Sequence, residues 1–113
     1  MNLSEALEPA RQALTDGEAA LRVLDAGCCE PGRSPSIAAL ARALAEVREG
    51  VERVADDPRA VEATVALAED AGAQVGRLQV GCCTEKRLPL YTRILGDLAT
   101  VQLTVNRAVD RGH

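Results

Sequence analysis

Apolar residues recur along the chain at alternating steps of three and four positions, in four separate stretches. In the first half they are Leu3, Leu7, Ala10, Leu14, Gly17, Leu21 and Leu24, then Ile37, Leu40, Leu44, Val47, Val51 and Val54. In the second half they are Val61, Thr64, Ala68, Ala71, Val75 and Leu78, then Tyr91, Ile94, Leu98, Val101 and Val105. This spacing lines one face of an α-helix with side chains for a core. The pattern predicts four amphipathic helices, near residues 4–27, 35–55, 58–80 and 89–110.

Residues that start and stop helices lie at the predicted boundaries. Gly27 and Gly81 follow the last apolar positions of the first and third helices, where a left-handed residue commonly ends a helix. Prolines suit a first helical turn, where the missing N–H costs little, and Ser and Asp are good N-caps. Such residues are Ser34 with Pro35, Asp57 with Pro58, and Pro89. Pro9 falls early in the first helix, so that helix either starts near Glu8 or is kinked in its first turn.

The chain contains an internal repeat. The stretch from Leu24 to Cys29 matches the stretch from Leu78 to Cys83 at an offset of 54 residues, with Gly-Cys-Cys in both. The same offset pairs Leu7 with Val61, Asp16 with Asp70, Leu21 with Val75, Arg33 with Arg87, Pro35 with Pro89, Leu40 with Ile94, Leu44 with Leu98, Val47 with Val101 and Val51 with Val105. Repeated units usually stack to cover their apolar faces. We predict a single domain, residues 1–113, built from two helix–loop–helix units at about 3–55 and 57–110.

The short connections between the predicted helices constrain their arrangement. Helices joined by a few residues pack antiparallel, so the predicted fold is all-α, an antiparallel up-down-up-down four-helix bundle with pseudo-twofold symmetry between its units. In such a bundle the first and third loops lie at the same end, which brings both cysteine pairs together. The apolar stripes of the first and third helices, continued by one step, reach Cys28 and Cys82. We expect these two side chains to point toward the bundle axis.

Composition and charge narrow the classes of function. The chain has a net charge of −4, with acidic and basic residues interleaved, and it has no Phe, no Trp and one Tyr. Nucleic-acid binding is not expected, because there is neither a basic stripe nor an aromatic platform for base stacking. A membrane span is not expected either, because no apolar run approaches the ~18 residues that it requires. The first residues lack the pattern of a signal peptide, which favours a cytoplasmic location.

The four cysteines are the candidate functional residues: Cys28, Cys29, Cys82 and Cys83. Four converging thiolates match the ligands of zinc, an iron–sulfur cluster or copper(I), although adjacent cysteines do not readily aim both sulfurs at one ion. A second interpretation is disulfide bonding between the two repeats, as a clamp or a reversible switch. A third is that cysteine serves as a small buried hydrophobic residue. The sequence leaves all three open.

Other residues suggest little further chemistry. Arg33 and Arg87 occupy equivalent loop positions and, with Lys86, can lower thiol pKa values, although solvated loop charges are the simpler interpretation. The only histidine is His113, so a di-iron centre, a hydrolase triad or a His-assisted cysteine nucleophile cannot be assembled.

The expected function is non-enzymatic: a helical bundle with a thiolate site at one end that binds a metal ion or cluster. The alternative is a helical interaction module whose cysteines form disulfides. A thiol-redox enzyme is less favoured, because no acid–base residue lies nearby. A homodimer is a further hypothesis, because the Ala-rich core has little bulk and a second copy would complete it.

Overall fold

The computed structural model describes residues 2–27, 32–78 and 87–111, and helices account for nearly all of them. The helices are α1 (Leu3–Ala6), α2 (Glu8–Ala26), α3 (Pro35–Asp56), α4 (Val61–Leu78) and α5 (Leu88–Arg111), with a 3-10 turn at Pro58–Ala60 before α4. No strand occurs in these ranges. The predicted all-α class is confirmed, and the four long helices correspond to the four that the apolar spacing predicts.

A break at Leu7 divides the N-terminal helical segment into α1 and α2. Pro9 lies in the first turn of α2, where its missing N–H is tolerated. Leu7 itself has φ −88° and ψ −6° and is fully buried. Asn2 caps α1, its side-chain oxygen accepting a hydrogen bond from the N–H of Glu5 at 2.8 Å. Of the two alternatives that Pro9 leaves open, a helix start at Glu8 is the one observed.

Two predicted N-caps are confirmed. The hydroxyl oxygen of Ser34 accepts a hydrogen bond from the N–H of Ile37 at 3.3 Å, at the start of α3. The Asp57 carboxylate accepts one from the N–H of Arg59 at 3.0 Å and so caps the 3-10 turn that leads into α4. These bonds satisfy N–H groups that a first helical turn leaves without a backbone partner.

The predicted left-handed end of the first long helix is wrong at Gly27. This residue has φ −94° and ψ 1°, and its N–H still bonds to the carbonyl of Val23, as in a continuing helix. The positive φ occurs later, at Gly32, with φ 74°. Gly81, the equivalent residue in the second repeat, lies outside the described residues.

The apolar stripes of all four long helices meet in one buried cluster. Pairs of residues 54 positions apart share this burial: Leu14 with Ala68, Leu21 with Val75, Ile37 with Tyr91, Leu40 with Ile94, Leu44 with Leu98, Val47 with Val101 and Val51 with Val105. The molecule is elongated, with principal extents of 47 × 19 × 19 Å. Most charged residues lie on the outer faces, and none of the described helices combines the length and the apolarity needed to cross a bilayer.

Each long helix packs against two others, α2 and α4 both lying against α3 and α5. Small residues mark the closest approaches: a Cβ added at Gly50 of α3 would lie 2.7 Å from the hydroxyl oxygen of Thr64 in α4. Polar groups link other pairs. Arg11 and Arg48 of α2 and α3 form ion pairs with Glu52 and Glu18 at 2.7 Å and 2.6 Å, and Gln102 of α5 donates to the Val65 carbonyl of α4 at 3.3 Å.

Candidate functional site

All four candidate cysteines, Cys28, Cys29, Cys82 and Cys83, lie outside the described residues. The structure does describe the residues that border both pairs. These are Leu24–Gly27, Gly32, Leu78 and Arg87–Tyr91, which we call the cysteine end.

The segment that contains the first cysteine pair begins and ends beside the last turn of α2. The chain leaves that helix at Gly27, one residue before Cys28. It is described again at Gly32, whose N–H donates to the Asp25 carboxylate at 3.0 Å. Asp25 therefore anchors the returning chain to the turn that the chain has just left. Sequence reasoning gave this aspartate no role, and its equivalent in the second repeat is Gln79, so the repeat offered no signal for it.

The segment that contains the second cysteine pair is bordered by contacting residues as well. α4 ends at Leu78, and the chain is described again from Arg87. The hydroxyl of Tyr91, in the first turns of α5, donates to the Leu78 carbonyl at 3.4 Å. The ring itself is buried, with 2% of the residue exposed. Tyr91 therefore joins the end of α4 to the start of α5, as expected for a core residue whose hydroxyl lies at the rim.

Arg87 connects the borders of the two cysteine pairs. Its guanidinium donates a hydrogen bond to the carbonyl oxygen of Leu24, a residue 63 positions earlier in the chain. It also lies over Gly27, where an added Cβ would be only 2.8 Å from Nη2 of Arg87. Gly27 thus serves close approach of the arginine and not a left-handed turn. These contacts bring the described borders of both cysteine pairs to the same end of the molecule.

The electrostatics of this end explain why an arginine is favoured there. The last carbonyls of a helix have no partner within the helix and carry partial negative charge, so a cation near them is stabilising. Arg87, the residue before α5, supplies that cation to α2. Arg33, its equivalent in the first repeat, is exposed. The two arginines that look equivalent in sequence are therefore not equivalent in structure; Lys86, Glu30 and Glu85 lie outside the described residues.

The remainder of the described chain offers no competing metal centre. Within residues 2–27, 32–78 and 87–111, no group of three or more His, Cys, Asp or Glu side chains could hold a metal ion. An open groove of about 460 Å³ lies between α1 and the start of α2 on one side and the second half of α5 on the other. It is lined by Glu5, Ala6, Pro9, Thr100, Leu103, Thr104, Arg107 and Ala108. Its two charged residues, Glu5 and Arg107, are exposed, so they offer no buried polar group around which a ligand would be held.

Two polar side chains that sequence reasoning missed carry buried oxygens without a hydrogen-bond partner. They are Oδ2 of Asp97 and Oε1 of Gln74. Burial raises the pKa of Asp97, and the Asp16 carboxylate adds to that rise, while Arg93 opposes it. Asp97 takes the place that Ala43 holds in the first repeat. This replacement of an apolar residue by a charged one was the signal in the sequence that could have drawn attention to Asp97.

Comparison of this chain with known protein families, with curated proteins and with solved structures found no match.

Proposed function

We propose that this protein is a non-enzymatic helical bundle whose four cysteines form a shared thiolate site at one end, which binds a metal ion or a metal cluster. The ligands would be Cys28, Cys29, Cys82 and Cys83. The proposal includes the up-down-up-down topology and the pseudo-twofold relation of the two units, because these bring the cysteine pairs together.

The contacts between helices support the antiparallel topology. Contacting positions run in opposite directions along three of the helix pairs: for α2 and α5, Gly17 lies by Asp97, whereas Leu24 bonds to Arg87, the residue before α5. The same reversal relates α2 to α3 and α4 to α5. It holds for Arg11 with Glu52 and Glu18 with Arg48, and for Val65 with Gln102 and Gly72 with Leu95. The shared burial of residues 54 positions apart supports the repeat.

The single observation that carries the proposal is the hydrogen bond from Arg87 to Leu24. Cys28 directly follows Gly27, and adjacent α-carbons are about 3.8 Å apart. Cys83 precedes Arg87 by four residues, and four residues span at most about 14 Å even when fully extended. Chain connectivity therefore limits how far Cys28 and Cys83 can lie from the residues of this contact, which supports a shared site.

Thiolate ligands favour a particular class of metal ion. Sulfur is a soft donor, so a site with four thiolates selects zinc, copper(I) or iron–sulfur clusters over magnesium or calcium. Adjacent cysteines do not readily direct both sulfurs to a single metal ion. In a cluster, the two sulfurs of a pair can bind different metal atoms. A vicinal pair from each repeat therefore suits a polynuclear centre well.

Metal analysis of anaerobically purified protein tests this proposal. We expect stoichiometric zinc, copper or iron by mass spectrometry of the metals, with a visible absorbance spectrum if the centre is an iron–sulfur cluster. Changing Cys28 and Cys82 to Ser should release the metal and leave the helical circular dichroism unchanged. Ser36→Ala, on the exposed start of α3, is a control that should retain the metal. Protein that remains metal-free after reconstitution, with four titratable thiols, would contradict the proposal.

The same proximity favours a second candidate, in which the cysteines form disulfides between the repeats. A disulfide needs α-carbons about 4.4–6.8 Å apart, a condition that neighbouring segments can meet. Mass spectrometry of peptides under non-reducing conditions should then show Cys28 or Cys29 linked to Cys82 or Cys83. Thiols that stay free under mild oxidation would exclude this candidate.

The cytoplasmic location and the homodimer complete the proposal. Disulfides are rare in a reducing compartment such as the cytoplasm, where paired cysteines are more often metal-binding or catalytic. Among the exposed large apolar residues, Leu88 belongs to the cysteine end, and Val23 directly precedes it. Light scattering during gel filtration, on reduced and metal-loaded protein, checks whether a dimer forms.

A further inference from the structure

We infer that Arg87 is a positioning residue for the thiol site: it holds the segment that carries Cys82 and Cys83 against the helix that leads to Cys28 and Cys29. The inference rests on the proposed function in treating the four cysteines as one site. It adds a residue outside that ligand set.

The geometry of Arg87 supports this role over that of a solvated loop charge. The residue is partly buried, its guanidinium donates to Leu24 of α2, and it lies over Gly27. A hydrogen bond from a charged donor is stronger than one between neutral groups, and the carbonyl that it reaches is at the negative end of a helix dipole. The bond therefore restrains the first residue described after the second cysteine pair.

Two other contacts at the cysteine end each lie within a single repeat. The Gly32–Asp25 hydrogen bond returns the first cysteine segment to α2, and the Tyr91–Leu78 hydrogen bond joins α5 to α4. Neither contact crosses between the cysteine segments. The hydrogen bond that Arg87 makes to Leu24 does cross from one repeat to the other. Loss of it should let the thiol pairs separate without unfolding the helices.

The experiment measures the effective concentration of one thiol with respect to another. On a background with Cys29 and Cys83 changed to Ser, the protein is equilibrated with reduced and oxidised glutathione. The two protein thiols give up their protons and electrons to one glutathione disulfide, forming one protein disulfide and two glutathione thiols. The reciprocal background, which keeps Cys29 and Cys83, is measured in parallel so that the result does not depend on which sulfurs face each other.

We expect Arg87→Met to lower the effective concentration by about tenfold, because it removes a charge-assisted hydrogen bond and keeps the apolar stem. Arg87→Lys should recover part of the loss, since an ammonium can still donate to the carbonyl. Gly27→Ala keeps the arginine in the sequence but adds a Cβ only 2.8 Å from its guanidinium. This change should displace the guanidinium and also lower the effective concentration. Arg33→Met, the same change at the equivalent exposed position, is the matched control and should have less than about a twofold effect.

A global loss of stability must be distinguished from loss of positioning. Gly50→Ala destabilises the α3–α4 interface near the other end of the molecule and should leave the thiol equilibrium unchanged. Equal effects of the changes at Arg87 and Arg33 would overturn the inference, as would an effect of Gly50→Ala as large as that of Arg87→Met. A further outcome is that the wild-type protein binds no metal while the effective concentration of the thiols in the two-cysteine variants still depends on Arg87. That result would refute the proposed function and leave this inference standing.

Discussion

At the scale of single residues, Asp97 is a mostly buried carboxylate in the α2–α5 interface. Its side chain is 19% exposed, its Oδ2 atom has no hydrogen-bond donor, and Arg93 lies 3.9 Å away, beyond hydrogen-bond distance. Gly17 makes room for it, since an added Cβ there would lie 3.5 Å from Oδ2. Burial consequently raises the pKa of Asp97 above its ordinary value of 3.8.

We predict that Asp97→Asn stabilises the protein at pH 7 by on the order of 1 kcal/mol, because it removes an ionised group with an unsatisfied buried oxygen. A raised folded-state pKa means that Asp97 imposes no cost below its ordinary pKa of 3.8. The cost appears as the pH rises through the folded-state pKa. The advantage of Asn in urea unfolding should therefore be present at pH 7 and disappear near pH 3. Asp70→Asn, an exposed change on α4, is the control; an equal gain there would contradict the explanation.

Gly50 is the residue at which an added methyl group should do most harm. The nearest atoms would be Oγ1 and Cγ2 of Thr64 at 2.7 Å and 3.0 Å. Thr64 is 1% exposed, and its hydroxyl donates to the Ala60 carbonyl at 2.9 Å, so it has little freedom to move.

We predict that Gly50→Ala costs about 1–3 kcal/mol in the free energy of unfolding, as overpacking does in other cores. The matched control is Gly96→Ala on α5, where an added Cβ meets no atom within 4 Å. That change should be neutral or stabilising, because Ala favours a helix over Gly by about 1 kcal/mol. Thr64→Ala should relieve most of the cost in the double variant. A Gly50→Ala protein as stable as wild type would show that α3 and α4 do not approach this closely.

At the scale of elements, α1 depends on Arg11 of α2. The Arg11 guanidinium donates to the Ser4 carbonyl at 2.7 Å, and it pairs with Glu52 of α3 at 2.7 Å. This pairing lowers the pKa of Glu52, chiefly through the side-chain hydrogen bond. A helix as short as α1, with four residues, has too few internal bonds to persist alone.

We predict that Arg11→Gln speeds amide hydrogen exchange in Leu3–Leu7 and leaves exchange in α4 unchanged. The coupling of Arg11 with Glu52 in a double-mutant cycle should be on the order of 1 kcal/mol or less, since Glu52 is half exposed. Because the folded-state pKa of Glu52 is lowered, the coupling is fully present above its ordinary value of 4.5. It should be lost as the pH falls through the folded-state pKa. Unaltered exchange in α1 would mean that packing of Leu7, and not the arginine, holds that turn.

The elements were largely predictable from sequence, whereas the contacts of the cysteine end were not. Alternating three- and four-residue steps from Ile37 to Val54 define α3 because helix periodicity is a local property. The roles of Asp25, Gly27 and Arg87 are not local. Arg87 binds a backbone carbonyl 63 residues away, and a carbonyl has no signature in sequence. The repeat even suggested the wrong equivalence, since it pairs Arg87 with the exposed Arg33.

At the scale of the whole molecule, the buried cluster extends through all four long helices. We expect two halves with a shared core of this kind to fold as one unit, because repeated units usually stack to cover their apolar faces. The predicted single domain is therefore open to a direct test with substitutions at equivalent core positions.

We predict that Leu44→Ala and Leu98→Ala each cost about 2–5 kcal/mol. These residues are 1% and 4% exposed and are 54 positions apart. Each variant should unfold in a single transition, with amide exchange accelerated in α2 through α5 alike. Leu103→Ala, at a position 55% exposed, should change stability little. Two transitions, or exchange that is accelerated in only one half, would instead indicate two independently folding hairpins.

Tyr91 gives this chain a spectroscopic property that follows from its position. It is the only aromatic side chain, since the chain has no Trp and no Phe, and its phenol bonds to the backbone at the rim of the cysteine end. Ultraviolet fluorescence of the unlabelled protein therefore comes from one buried ring at the cysteine end. Quenching or recovery of that emission should report directly on metal loading or thiol oxidation, with no introduced dye.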